Sequence, residues 1–273
     1  MAGLWKGRLE SLDALRGGAA LAVVVSHAIT YLEQPPTGSI WFAPLFHVLS
    51  EGHLGVSLFF VLSGFCIHLR WARQFAATGD TSLPFGPFWR RRLHRLYPPY
   101  FILLCATMAM VVFVELRGIV VPVTRMYPEP RLSWMGLDFL AHATMLHGLS
   151  PIFDSAGGNP PYWTLAREEY FYVLYVFLLA ARRRWGLLPS VGGVLVLGLV
   201  FPLVMRLLLP PSSAWWSVVQ TSALVLWFQW CLGMISVEAV VGLIELPRWC
   251  SSWVMVPVWG ALALASAPQT GTI

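Results

Sequence analysis

The chain has 273 residues, 57% of them hydrophobic and 11% charged, where soluble domains carry roughly a quarter charged residues. With a mean hydropathy of +0.67, these proportions exclude an ordinary soluble enzyme and a disordered chain. They leave an all-α, polytopic transmembrane helical bundle over residues 1–273 as a single integral-membrane domain. The net charge of +5 fits anchoring at a membrane surface; no aromatic-basic pattern of a nucleic-acid binder accompanies it.

In chain order, apolar stretches predict spans at 12–31, 54–71, 96–116, 164–181, 187–209, 216–237 and 253–267, about seven crossings if about 20 residues cover a bilayer. The last is short and runs into the polar tail PQTGTI. The first reads as a retained helix and not a signal peptide, because Asp13 and Arg16 interrupt its start and no A-x-A cleavage site follows. An N-terminus in the cytoplasm puts Lys6, Arg8, Arg70, Arg73, Arg90, Arg91, Arg92, Arg95, Arg182, Arg183, Arg184 and Arg248 inside. Arg117, Arg125, Arg131, Arg167 and Arg206 then fall outside or at outer helix ends, an asymmetry that obeys the positive-inside rule. A further crossing at 134–149 would send Arg182, Arg183 and Arg184 outside, so that segment is expected to be re-entrant or interfacial, within a mostly external loop from 118 to 163. Cys66, Cys105, Cys231 and Cys250 show no CxxC spacing; they read as small buried hydrophobes, with neither a metal site nor a disulfide framework expected.

Polar residues inside spans are the candidate functional groups, since a charge at the centre of a helix costs roughly 2.5 to 3.5 kcal/mol on insertion scales. Asp13 and Arg16, three apart on the first helix, can pair. Arg16 and His27, eleven apart, return to nearly one face about 16 Å apart along the axis. The bland account has Arg16 snorkelling to headgroups and His27 bonding a neighbouring helix. In GHLGVSLFFVLSGFCI, the small residues Gly52, Gly55, Ser57, Ser63 and Gly64 permit close helix approach, while His53 and His68 lie near the helix ends, where interfacial solvation accounts for them. FWRRRLHRLYPPY crowds Arg90, Arg91, Arg92, His94 and Arg95 at the inner surface, either as a topology signal or as a grip for phosphate. YWTLAREEYFYVLY puts Glu168 and Glu169 in the first turns of a helix, where the dipole favours acids. Their side chains diverge by about 100°, so at least one is expected to face the interior. Arg167 is expected to pair with an acid of a neighbouring element, and Tyr170, Phe171 and Tyr172 to thicken an aromatic belt.

Four strings now stand in order: LDALRG with ten residues between Arg16 and His27, GHLGVSLFFVLSGF, RRRLHRLYPPY and WTLAREEYFY. Together they resemble acyltransferase family 3, the integral-membrane acyltransferases that modify bacterial cell-surface glycans and some secondary metabolites, from about residue 9 to residue 180. The resemblance implies transfer of an acyl group, commonly acetyl, from acyl-coenzyme A to a hydroxyl of a glycan, lipid-linked glycan or small molecule. No permanently bound cofactor, metal or nucleic acid is implied, and the setting is the lipid bilayer of a bacterial inner membrane. Matched position by position, His27 with Glu168 or Glu169 forms the catalytic set, Glu168 being favoured as the first acid after WTL. Asp13, Arg16, Arg90, Arg91, Arg95, Tyr100, Trp163 and Tyr172 are the substrate-binding candidates. Histidine, with a pKa near 6.5, suits the removal of a proton from a hydroxyl attacking a thioester, and an acyl-histidine intermediate stays open as well. Two departures stand out. Val176 occupies a position where many members have proline, and about seven spans replace the family's usual ten or so, which leaves open a C-terminally truncated chain. The alternatives are a transporter or flippase built from the same intramembrane charges, and an inactive homologue.

Overall fold

The computed structural model describes residues 2–30, 52–119, 127–128, 131–153 and 161–251. Among these residues there are helices and no strand: α1 (Ala2–Thr30), α2 (Gly52–Thr78), α3 (Phe85–Leu116), α4 (Arg131–Ala143), α5 (Tyr162–Trp185), α6 (Leu187–Leu208), α7 (Trp215–Gln220) and α8 (Ala223–Val241). Short 3-10 turns occupy His147–Leu149, Pro151–Phe153 and Arg248–Ser251. The helices form two compact units, one from Met1–Gly79 with Gln229–Ile273, the other from Asp80–Phe228.

Among the described residues, five segments are long and apolar enough to cross a membrane: Leu12–Ile29, Gly52–Thr78, Phe85–Leu116, Leu187–Leu208 and Trp215–Val241. They make the chain an integral membrane protein. Of the seven expected spans, 164–181 forms most of α5, whose 24 residues reach about 36 Å. Arg167, Glu168 and Glu169 near its start and Arg182, Arg183 and Arg184 near its end lower its apolar content below that of the other five. The stretch 253–267 lies outside the described residues. Segment 134–149 does not form a crossing helix: α4 has 13 residues, about 20 Å against a hydrocarbon core of about 30 Å. The span expected at 216–237 is broken, α7 ending at Gln220 and α8 beginning at Ala223.

In the first unit, α1 and α2 approach closely where Gly55 lies beneath the Ala19 carbonyl and Gly52 beside Ser26. A side chain on Gly64 would land on the Trp230 carbonyl of α8, and one on Gly233 on the Val61 carbonyl. Such contacts are what hold helices together where lipid removes the hydrophobic drive. The same crossing buries His68 and Glu238, each 0% exposed, with Nε2 to Oε1 at 2.9 Å. The interfacial solvation expected for His68 is therefore corrected. It follows Gly64 by one helical turn, so it faces α8, and its ring stacks on Trp71 at 5.0 Å. Cys231 is buried, whereas Cys66, Cys105 and Cys250 are half-buried.

In the second unit, Tyr100, Leu104, Met108 and Val111 of α3 pack with Met135 of α4 and with Tyr162 and Ala166 of α5. Arg183 donates to the Thr81 carbonyl. The C-terminal end of α5, with its arginines, thus meets the segment leading into α3, whose first turns carry Arg90, Arg91, Arg92 and Arg95. Ile102, Met110 and Phe113 of α3 and Leu199 and Leu203 of α6 remain exposed, as side chains against lipid do.

Candidate active site

The start of α3, the end of α4 and the first half of α5 enclose a cavity of about 370 Å³. Trp89, Leu93 and Tyr97, spaced by four, supply the α3 wall; Ala143, Thr144 and Met145 close the end of α4; Glu169, Tyr170 and Val173 complete it from α5. Glu169 is 8% exposed. Its Oε2 accepts a hydrogen bond from Trp89 Nε1 at 3.2 Å, while Oε1 is buried without a partner.

The end of α4 is pinned by three tyrosines. The Tyr97, Tyr100 and Tyr170 hydroxyls donate to the carbonyls of Ala143 (2.6 Å), His142 (2.9 Å) and Met145 (2.5 Å). The Ala143 carbonyl is one of those that the last turn of a helix leaves without an intrahelical donor. The helix closes in a Schellman turn, Leu146 N bonding the Ala141 carbonyl and Met145 N the His142 carbonyl, with Met145 at φ 60° where glycine is usual. A strained residue held by its surroundings therefore forms part of the cavity wall.

Beside it lies a buried polar cluster. His142 Nδ1 is 2.9 Å from Asp138 Oδ1 and 3.0 Å from the Asp138 carbonyl; both are acceptors, so in the neutral ring Nδ1 carries the proton. Asp138 Oδ2 accepts from the Tyr127 hydroxyl at 2.5 Å. The His142 ring is stacked on His147, centroids 3.8 Å apart and planes within 5°. His147 Nε2 donates to the Tyr162 carbonyl at 3.3 Å, and His142 Nε2 and His147 Nδ1 are buried without a hydrogen-bond partner. Burial, then the neighbouring His142 ring, push the His147 pKa down to about 3; Arg167 acts the same way, while the Tyr162 carbonyl and Asp138 oppose it.

A histidine kept neutral in this way stabilises the fold fully above its unfolded pKa near 6.5, and that stability is lost as pH falls from 6.5 towards 3, by at most about 1.4 kcal/mol per pH unit. Thermal unfolding in detergent between pH 7 and pH 4 is expected to show a shallower loss for His147→Gln than for the native chain. Parallel curves would remove His147 as the titrating group.

Arg167, 0% exposed, donates from Nε to the Thr221 carbonyl and from Nη2 to Thr221 Oγ1 at 3.0 Å. Thr221 is the break between α7 and α8, where helix carbonyls are released. An acid is the partner the sequence suggests for Arg167; Thr221 supplies this carbonyl and hydroxyl, and the guanidinium also lies over the Tyr170 ring at 5.6 Å. Gly148 lies against the guanidinium, and a side chain there would collide with it.

The predicted residues are distributed as follows. Asp13 and Arg16 pair at 3.5 Å as their spacing predicts, and His27 is exposed on α1; these three belong to the first unit. The second unit holds the acids and the basic run. Arg90, Arg91 and Arg95 are exposed, and Arg92 lies over the Phe88 ring at 5.8 Å. Tyr100 is buried and committed to the His142 carbonyl; Trp163 is half-buried. Glu168 accepts from the Tyr172 hydroxyl at 2.9 Å, and Tyr172 is buried edge-on against Phe88. Glu169, not the favoured Glu168, lies in the cavity wall. Sequence inspection misses Trp89, Asp138, His142 and His147. The available signals were the stripe Trp89, Leu93, Tyr97 and the four-residue step from Asp138 to His142, which puts both on one helix face.

The arrangement is that of a polytopic helical membrane protein with buried acid and imidazole groups around a largely apolar cavity. The chain belongs to the acyltransferase domain family, which it matches over residues 9–268. It is 30% identical over 203 residues to the acyltransferase MdmB of Streptomyces mycarofaciens, covering 69% of this chain and 45% of that protein. To the peptidoglycan O-acetyltransferase OatA of Listeria monocytogenes it is 28% identical over 201 residues, 70% of this chain and 27% of the relative. The O-acetyltransferase OatA of Staphylococcus aureus is 25% identical over 173 residues, 63% of this chain and 24% of its own. The chain thus spans less than half the length of each of these relatives. No solved structure matches it.

Proposed function

We propose that the chain is a membrane-bound O-acyltransferase that moves an acyl group, acetyl in the simplest case, from acyl-coenzyme A to an acceptor hydroxyl. The N-terminus and the basic run face the cytoplasm of a bacterial inner membrane, where the donor is found. The observation that carries this reading is Glu169: a buried carboxylate with one unengaged oxygen in a cavity, whose α3 wall of Trp89, Leu93 and Tyr97 belongs to the same helix that carries Arg90, Arg91 and Arg95 on its other faces. The names of the relatives, an acyltransferase and O-acetyltransferases, support it.

In this reading Arg91 and Arg95 grip the donor's phosphates as exposed guanidiniums. Glu169 accepts the hydrogen bond of the acceptor hydroxyl. His27 is the proposed base, to which that proton passes as the oxygen attacks the thioester carbonyl. The carbon–sulfur bond breaks, and the departing thiolate recovers that proton from the imidazolium. Asp13 orients Arg16 at the donor side of His27. A second reading gives the base role to His142, because Asp138 fixes its Nδ1 proton and leaves the Nε2 lone pair without a partner.

Purified full-length chain in detergent, given radiolabelled acetyl-coenzyme A and a hydroxyl acceptor, is expected to cleave the thioester. His27→Ala should lower turnover about 100-fold or more, and Arg91→Ala or Arg95→Ala should raise KM severalfold at nearly constant kcat. Loss in His142→Ala with turnover retained in His27→Ala would select the second reading. A transporter, flippase or inactive homologue would leave the thioester intact.

A further inference from the structure

This inference rests on the transferase reading of the cavity and concerns what enters it. The Tyr97 and Tyr170 hydroxyls donate to the Ala143 and Met145 carbonyls, the Thr144 hydroxyl to the Leu140 carbonyl, and Trp89 Nε1 to Glu169. Every side-chain donor in the wall is therefore committed, and the backbone amides of Thr144 and Met145 are bonded within the turn. One buried acceptor stands uncommitted, Glu169 Oε1. The remaining surface is ring face and aliphatic chain, from Leu93, Val173 and the Met145 side chain. Two of the lining residues, Trp89 and Val173, are also partly exposed, at 37% and 47%.

A sugar ring carries several hydroxyls, each needing donors and acceptors once taken out of water. Among the described residues this wall offers no free donor. A molecule with an apolar body and a single hydroxyl meets the opposite condition: its hydroxyl donates to Glu169 Oε1 and its hydrocarbon covers the wall. A volume of about 370 Å³ is that of a small-molecule pocket. We infer that this cavity is the acceptor subsite, and that the acceptor is a lipophilic alcohol, a linear-chain or compact ring alcohol, and not a free sugar. Acylation follows the same balance: the proton that the alcohol shares with Glu169 Oε1 passes to the base, the alcohol oxygen bonds the acyl carbon, and the thiolate leaves with that proton.

The test uses the full-length chain in lipid nanodiscs with a diazirine-bearing analogue of 1-decanol, photolysed and mapped by mass spectrometry. Saturable labelling is expected at Leu93, Met145 and Val173, suppressed at least tenfold by excess 1-decanol and unchanged by methyl glucoside. Borneol competing as well as 1-decanol would assign a compact ring alcohol, and competition by 1-decanol alone a chain alcohol. The half-exposed position of Val173 makes Val173→Trp a tolerable filler, and it should abolish the saturable label at Met145. Labelling that 1-decanol does not suppress, or that methyl glucoside suppresses, overturns the assignment. Acetyl transfer distinguishes the two levels: kcat/KM for 1-decanol should exceed that for methyl glucoside at least tenfold. Preferred transfer to the glucoside overturns the acceptor class alone. Failure to cleave the thioester with any acceptor overturns the transferase reading, and photolabelling still decides what the cavity holds.

Discussion

Glu169→Gln is expected to lower acetyl transfer about 100-fold or more, and Glu168→Gln less than about threefold, when both are assayed as kcat per folded protein. The larger figure is the ordinary scale of a positioned acid or base group. The two acids are adjacent on α5 and share its dipole, which is worth about 0.3 to 1 kcal/mol at an exposed helix start. Their surroundings separate them. Glu169 is 8% exposed with one oxygen unengaged in the cavity wall. Glu168 is half-buried and accepts from Tyr172, a bond that the carbonyl of a glutamine preserves. Equal effects from the two substitutions would reduce both acids to partners of the dipole.

The largest stability effect is expected from the His68 and Glu238 pair. His68→Leu should destabilise the chain by about 3 kcal/mol, the order expected when one partner of a buried hydrogen bond is removed. Both side chains are 0% exposed at a crossing fixed by Gly64 and Gly233, so water cannot take the place of the lost ring. Replacing both, His68→Leu with Glu238→Met, should recover most of that loss, because both members of the buried hydrogen bond are then replaced by apolar groups. Denaturant titration in mixed micelles measures all three variants. Losses that simply add, with no recovery in the double variant, would show that the two residues are not coupled.

The helices were legible where the membrane itself dictates the pattern. Runs such as 187–209 are apolar all round, and Gly186 separates α5 from α6 at φ 86°, as a helix C-cap often does. The pairing of Asp13 with Arg16 was legible because it is local, and so was the burial of one of two adjacent acids. What escaped depends on distant partners. The run at 216–237 contains no proline, and its break at Thr221 is held by Arg167, 54 positions earlier. His68 reads as an end-of-helix histidine until Glu238, 170 positions away, is beside it. Likewise α4 shows Asp138 and His142 on one face, but only the stacking of His147 and the bond from Tyr127 mark that face as a buried polar cluster.

The bond from Arg167 to the broken helix also bears on how the chain is made. Arg167 adds a charge to α5, a helix already less apolar than the five clear spans. Thr221, which receives it, is synthesised 54 residues later, about 3 to 11 s at ordinary elongation rates of about 5 to 20 residues per second. During that interval the guanidinium has no such carbonyl. The contact between them can close only after α7 and the break at Thr221 have been made, so it belongs to the late steps of this unit's assembly.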